Sequence, residues 1–79
     1  MLEVNNVVQV FCDLVAEKAI NPTELVCFYG EAIWASRVGA SDPLKVAAVH
    51  QRGGIHLASC EDRITAKAEL HKTGFPVPC

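Results

Sequence analysis

Apolar residues along positions 3–20 recur with the spacing of one helical face. Val4, Val7, Val8, Phe11, Leu14 and Val15 form it, and the aliphatic stem of Lys18 closes it. Asn6, Gln9, Asp13 and Glu17 fall on the opposite side. Strict alternation, the mark of a strand, fails at Val7-Val8 and again at Leu14-Val15-Ala16, so a helix is expected.

Asn21-Pro22-Thr23-Glu24 then punctuates the chain. Asparagine suits an N-cap, because its side chain accepts from a free N–H of the first turn. Proline at the next position lacks a donor that would go unpaired and brings a helical φ. Glu24 stands where a capping-box carboxylate reaches back to the cap. The second helix is therefore expected to run from Pro22 to Val38, with Gly39 placed to end it. Leu25, Val26, Cys27, Phe28, Tyr29, Ala32, Ile33, Trp34, Ala35 and Val38 cover nearly its whole circumference. A helix apolar all round is buried on all sides, so this one is either the centre of a bundle or half of a symmetric interface. It has two apolar edges. One carries Leu25, Tyr29 and Ala32; the other carries Cys27, Trp34 and Val38.

Asp42-Pro43 repeats the start signal for a short helix over 43–52, stopped by Gly53-Gly54. Ser59 caps a last helix over 60–72, with Glu61 and Asp62 in its first turn and His71 and Lys72 in its last. Gly74 closes that helix, and Phe75-Pro76-Val77-Pro78-Cys79 cannot prolong it. Ile55-His56-Leu57 fits no template. The expected fold is all-α, a compact bundle of three to four short helices with an extended C-terminal tail, in one domain over residues 1–79.

Composition changes this picture in one respect. Of the 79 residues 51% are hydrophobic and only 20% are charged, generous for a chain whose own core is small. Apolar surface that one copy cannot enclose points to a partner, with a homodimer through helix two as the first expectation. The net charge of −2 argues against a phosphate-backbone binder, so nucleic acid is not an expected partner. No apolar run approaches the ~18 residues that span a bilayer. Met1-Leu2-Glu3-Val4 lacks the basic start of an export signal, so a cytoplasmic protein is expected. Its four cysteines are then free thiols, with Cys12 and Cys27 as small core residues.

Candidate chemistry is sparse. The run from Leu14 to Leu25 shares the layout of a helix-turn-helix, with Leu14, Ile20, Leu25 and Phe28 as packing positions. Ala19 stands where that turn prefers glycine, and Lys18 where it wants an apolar residue. The supposed recognition helix presents Thr23, Glu24 and Cys27, without a side chain suited to reading bases. DNA binding is therefore the alternative rather than the main reading. His56 and Cys60, four residues apart, suggest an activated thiol at a helix start. With His50 and His71 a metal is conceivable, but the paired spacing of zinc ligands is missing, and neither metal nor cofactor is expected. Gly53-Gly54 lacks the context of a phosphate loop and reads as a turn.

Two charge stripes remain. Asp13 and Glu17 are like charges four apart near the wrong end of their helix, and Arg63, Lys67 and His71 form a basic stripe on the last. They pair with each other in the fold, face solvent, or bind a partner. The expected function is that of a small non-enzymatic regulator, adaptor or inhibitor that binds another protein. Its expected contact residues are Trp34, Val38, Tyr29, Cys27, Glu31, Asp13 and Glu17.

Overall fold

The computed structural model describes residues 3–17 and 24–74. They form four helices, α1 (Val4–Ala16), α2 (Leu25–Arg37), α3 (Pro43–Gly53) and α4 (Cys60–Lys72), without a strand among the described residues. The Asn21-Pro22-Thr23 cap, Lys18 and the tail 75–79 with Cys79 lie outside them.

The amphipathic reading of α1 holds. Val7, Phe11 and Leu14 are buried, Val4, Val8 and Val15 are partly so, and Asn6, Gln9, Asp13 and Glu17 are exposed. Cys12 is a correction, since it is exposed rather than in the core. One residue beyond Phe11 turns the side chain about 100° away from the buried stripe. Cys27 is half-buried, and the thiols of Cys12, Cys27 and Cys60 are free.

Helix ends follow local chemistry. Asp42 caps α3 by accepting from the Lys45 N–H at 3.2 Å, with Pro43 in the first turn. At its far end Gly54 takes φ 70°. Its N–H donates to Gln51 C=O at 3.3 Å, and that of Ile55 to His50 C=O at 2.8 Å. These are the two bonds of a Schellman ending. The same pair closes α2 at Gly39 and Ala40. Ser59 and Asp62 form a reciprocal capping box at the start of α4. Glu24, expected in the first turn of a helix beginning at Pro22, instead immediately precedes Leu25 and makes no cap bond. Its carboxylate engages α3: with the Gln51 amide oriented to satisfy both groups, Gln51 nitrogen donates to Glu24 Oε2 at 2.9 Å and its oxygen accepts from Phe28 N–H at 3.0 Å.

Of the two roles open to the all-apolar helix, α2 fills the central one. Leu25, Phe28, Tyr29, Gly30, Glu31, Ala32 and Ala35 are all buried, with α3 and α4 packed closely on it and α1 more lightly. Close approach is possible because the neighbours meet it with Ala47, Ala48 and Ala66. Phe11 of α1 and Phe28 of α2 join in a tilted ring contact at 6.1 Å. Gly30 lets α4 come in: a Cβ there would stand 3.2 Å from Arg63 Cγ and 3.6 Å from both Arg63 Cα and Ala58 Cβ. Gly30→Leu is therefore expected to push α4 off α2 and destabilise the fold by about 1–3 kcal/mol. Gly30→Ala needs only the Arg63 side chain to give, and helix propensity returns up to about 1 kcal/mol. Urea denaturation of the two variants beside the parent measures both effects.

Candidate functional site

The most organised polar cluster is centred on Glu31, whose side chain is 1% exposed in the middle of α2. Beyond Ile55, whose N–H still closes α3, the next N–H groups find no helical carbonyls. The Leu57 and Ala58 N–H groups donate to Glu31 Oε1, the latter at 3.2 Å. His50 Nδ1 lies 3.3 Å from Oε2, and His56 Nδ1 lies 3.9 Å from Oε1. A buried carboxylate is costly unless surrounded by donors, and here they arrive from the end of α3 and from residues 56–58. Among the described residues no buried side-chain nitrogen or oxygen lacks a partner.

Glu31 thereby orients His50. With Nδ1 facing the carboxylate, Nε2 is the ring nitrogen turned away from it. Trp34 packs against that ring with centroids 5.7 Å apart. His50 also lines an open groove of about 380 Å³ with Ser41, Asp42, Lys45, Val46 and Val49. Val38 and Val49 stand 57% and 56% exposed, so this side of α2 and α3 carries large apolar groups in water. A second open groove, also about 380 Å³, runs between α1 and α3 over Val10, Leu14, Leu44 and Ala48, rimmed by Asp13, Glu17, Asp42, Lys45 and Arg52.

The expected contact residues separate accordingly. Trp34, Val38 and Cys27 are at least partly at the surface, as one edge of α2, while Leu25, Tyr29 and Ala32 are enclosed as the other. Tyr29 and Glu31 are corrections, because both side chains point inside and neither is available to a partner. Tyr29 donates its hydroxyl to Glu69 Oε2 on α4. Burial first, and then the Glu69 hydrogen bond and charge, push its phenol well above the ordinary value. Asp13 and Glu17 are exposed at the rim of the α1–α3 groove, where Gln9 donates to Asp13 at 3.1 Å and Arg52 meets Glu17 at 3.4 Å. No described ion pair joins them to Arg63, Lys67 or His71. The stripes do not pair internally.

His56 turns toward Glu31, and the group described beside the Cys60 thiol is Arg63, with Nη2 3.5 Å from Sγ. Among the described residues no three His, Cys, Asp or Glu side chains are grouped to hold a metal, and no hydrogen bond joins a hydroxyl or thiol to His50. Val46, Val49 and His50 were not among the expected contact residues. Their signal was the apolar run Leu44, Val46, Ala47, Ala48 and Val49, too wide for the inward face of an 11-residue helix.

A second polar tie anchors α4. Arg37 grips Asp62 bidentately at 2.7 and 2.9 Å, while the Ser59 N–H donates to the same carboxylate at 2.9 Å. Burial acts to raise the Asp62 carboxyl, but the Ser59 backbone and hydroxyl donors and the Arg37 guanidinium outweigh it, and the group titrates below its ordinary 3.8. Comparison finds no protein family, no functionally described protein and no solved structure that matches this chain. Among the described residues no helix is long and apolar enough to cross a membrane.

Two outcomes test these ties. Glu31→Gln keeps the shape but turns an acceptor into a donor among donors, so a loss of about 1–3 kcal/mol is expected. Amide hydrogen exchange at Leu57 and Ala58 should rise more than at the core of α4. For Asp62, a folded pKa below the unfolded one gives stabilisation that is complete above about pH 4 and lost as pH falls through the folded value. The stability difference between the parent and Asp62→Asn, measured in urea from pH 7 to pH 2.5, should therefore be flat to about pH 4 and shrink below it.

Proposed function

We propose that this chain is a small non-enzymatic protein-binding module, a regulator, adaptor or inhibitor, whose contact surface is the α2–α3 face. The observation that carries the reading is an open, largely apolar groove lined by the exposed Val49 and by His50, whose ring packs on the half-buried Trp34, with the exposed Val38 one helical turn beyond that tryptophan. Apolar groups placed this way around a tryptophan and rimmed by Asp42 and Lys45 have the make-up of a contact surface, an apolar centre with a charged border. Trp34 is the natural anchor, because His50 already holds its ring and little side-chain freedom is left to lose on binding. A cytoplasmic setting suits the exposed thiols of Cys12 and Cys60.

The DNA-binding alternative loses support from the position of α2. The helix that would enter a groove has seven of its 13 residues buried within the bundle.

Affinity capture from the native host tests the reading with three baits: the parent, Val38→Glu, and Ile64→Glu on α4, outside the proposed face. Ile64 is 68% exposed, so both substitutions leave the core intact. A protein partner retained by the parent and by Ile64→Glu but lost with Val38→Glu is expected. Equal retention by all three baits overturns the α2–α3 face.

A further inference from the structure

The α2–α3 face has a property that selects one occupant. Along the exposed ridge of α3, Asp42, Lys45, Val49 and Arg52 follow the i, i+3, i+7, i+10 spacing of one helical side, with Val46 beside them. Its one acidic group, Asp42, stands where α3 begins, Lys45 follows one turn later, and Arg52 stands where the helix ends. Open grooves of about 380 Å³ flank it on both sides, and Asp42 and Lys45 line both.

We propose that a second copy of this chain docks on this ridge with its own α3 antiparallel. Val46 and Val49 of the two copies then meet near the two-fold axis, and each Asp42 lies at the other copy's Arg52. The inference rests on the α2–α3 face being a contact surface, and it names what covers it.

Three observations select this arrangement. A ridge between two grooves is reciprocal, because each copy's ridge enters a groove of the other, as an isologous interface requires. A parallel pairing sets Asp42 against Asp42 and Arg52 against Arg52, whereas the antiparallel one sets opposite charges together. Residue 47 is midway between positions 42 and 52, and the exposed Val49 and half-buried Val46 bracket it, so Asp42 and Arg52 stand at the rim while the aliphatic stem of each Lys45 lies across the axis from Val49 of the other copy. The Arg52 contact with Glu17 does not compete strongly, since both side chains are more than half exposed.

Size sets the strength. The 11 residues of α3 extend about 16 Å. A helix pair of that length falls short of the ~800 Å² per partner of a standard interface, so Val38 and Trp34 must join the rim and the dimer is a weak, reversible one.

Sedimentation equilibrium between about 1 and 300 µM, set to bracket such a weak association, tests the inference. The parent is expected to pass from monomer to dimer within that range. Val49→Glu should raise the dimer Kd at least tenfold, with a thermal midpoint unchanged at concentrations where the parent is monomeric, and Ile64→Glu should leave the Kd alone. Arg52→Glu, which sets a carboxylate against Asp42 of the other copy, should raise the Kd about twofold to fivefold at low salt and reverse its salt dependence. Glu17→Gln, which removes the contact within one copy, should do neither. A parent that stays monomeric at the highest concentration overturns the second copy as occupant. A dimer indifferent to Val49→Glu or Arg52→Glu overturns the α3 geometry. Neither failure touches the wider reading: if Val38→Glu still abolishes capture of a different protein, the face stands and only its occupant changes.

Discussion

Glu31 is the charge around which the bundle is arranged. A carboxylate enclosed in the middle of the central helix is tolerable only where several donors converge on it, and the fold supplies them from two directions. His50 comes from the last turn of α3, and the N–H groups of Leu57 and Ala58 come from the segment leading into α4. A loop with no secondary structure of its own is thereby pinned at a defined point on α2, and that point determines where α4 begins. The capping box of Ser59 and Asp62 starts one residue after Ala58. The Arg37 grip on Asp62 completes the circuit back to the end of α2.

The same charge bears on the proposed contact face. By holding His50, Glu31 also fixes the platform on which Trp34 rests. The apolar surplus of the chain is mostly consumed inside, since α2 is enclosed by helices that meet it with alanines. Of the remainder, Val46 and Val49 line the groove beside His50, while Val38, Ile55, Leu57 and Ile64 are exposed on other elements. The proposed contact face is a smaller surface than the whole of helix two, and its centre lies on α3.

Features governed by neighbouring residues were legible in the sequence. Asp42-Pro43, Ser59, Gly39 and Gly54 act within a few positions of themselves, so the C-terminal end of α2 and the bounds of α3 and α4 could be read directly. The buried stripe of α1 and the division of α2 into an inner and an outer edge follow from helical period alone. What escaped depends on partners far along the chain. The donors to Glu31 lie 19, 26 and 27 residues away, and Glu69 lies 40 residues from Tyr29. Without those partners Tyr29 and Glu31 read as surface residues of an interface, when both are internal. The two charge stripes invited a pairing, yet α1 and α4 attach to the bundle on separate faces. Cys12 shows the smallest scale of error, one step of helical rotation.

The polar ties of this molecule are unevenly shared. α2, α3, α4 and the 55–58 segment are bound together through Glu31, Gln51, Tyr29 with Glu69, and Arg37 with Asp62. Among the described contacts α1 is held by apolar packing and by one exposed ion pair, Glu17 with Arg52. Such a division makes α1 the element whose separation costs least, and local opening in proteins proceeds through units of this kind. Detaching α1 uncovers Phe28 along with its own Phe11, so the brief open form presents an aromatic surface that the closed bundle hides. The bundle is in this sense a three-helix body with a removable cover.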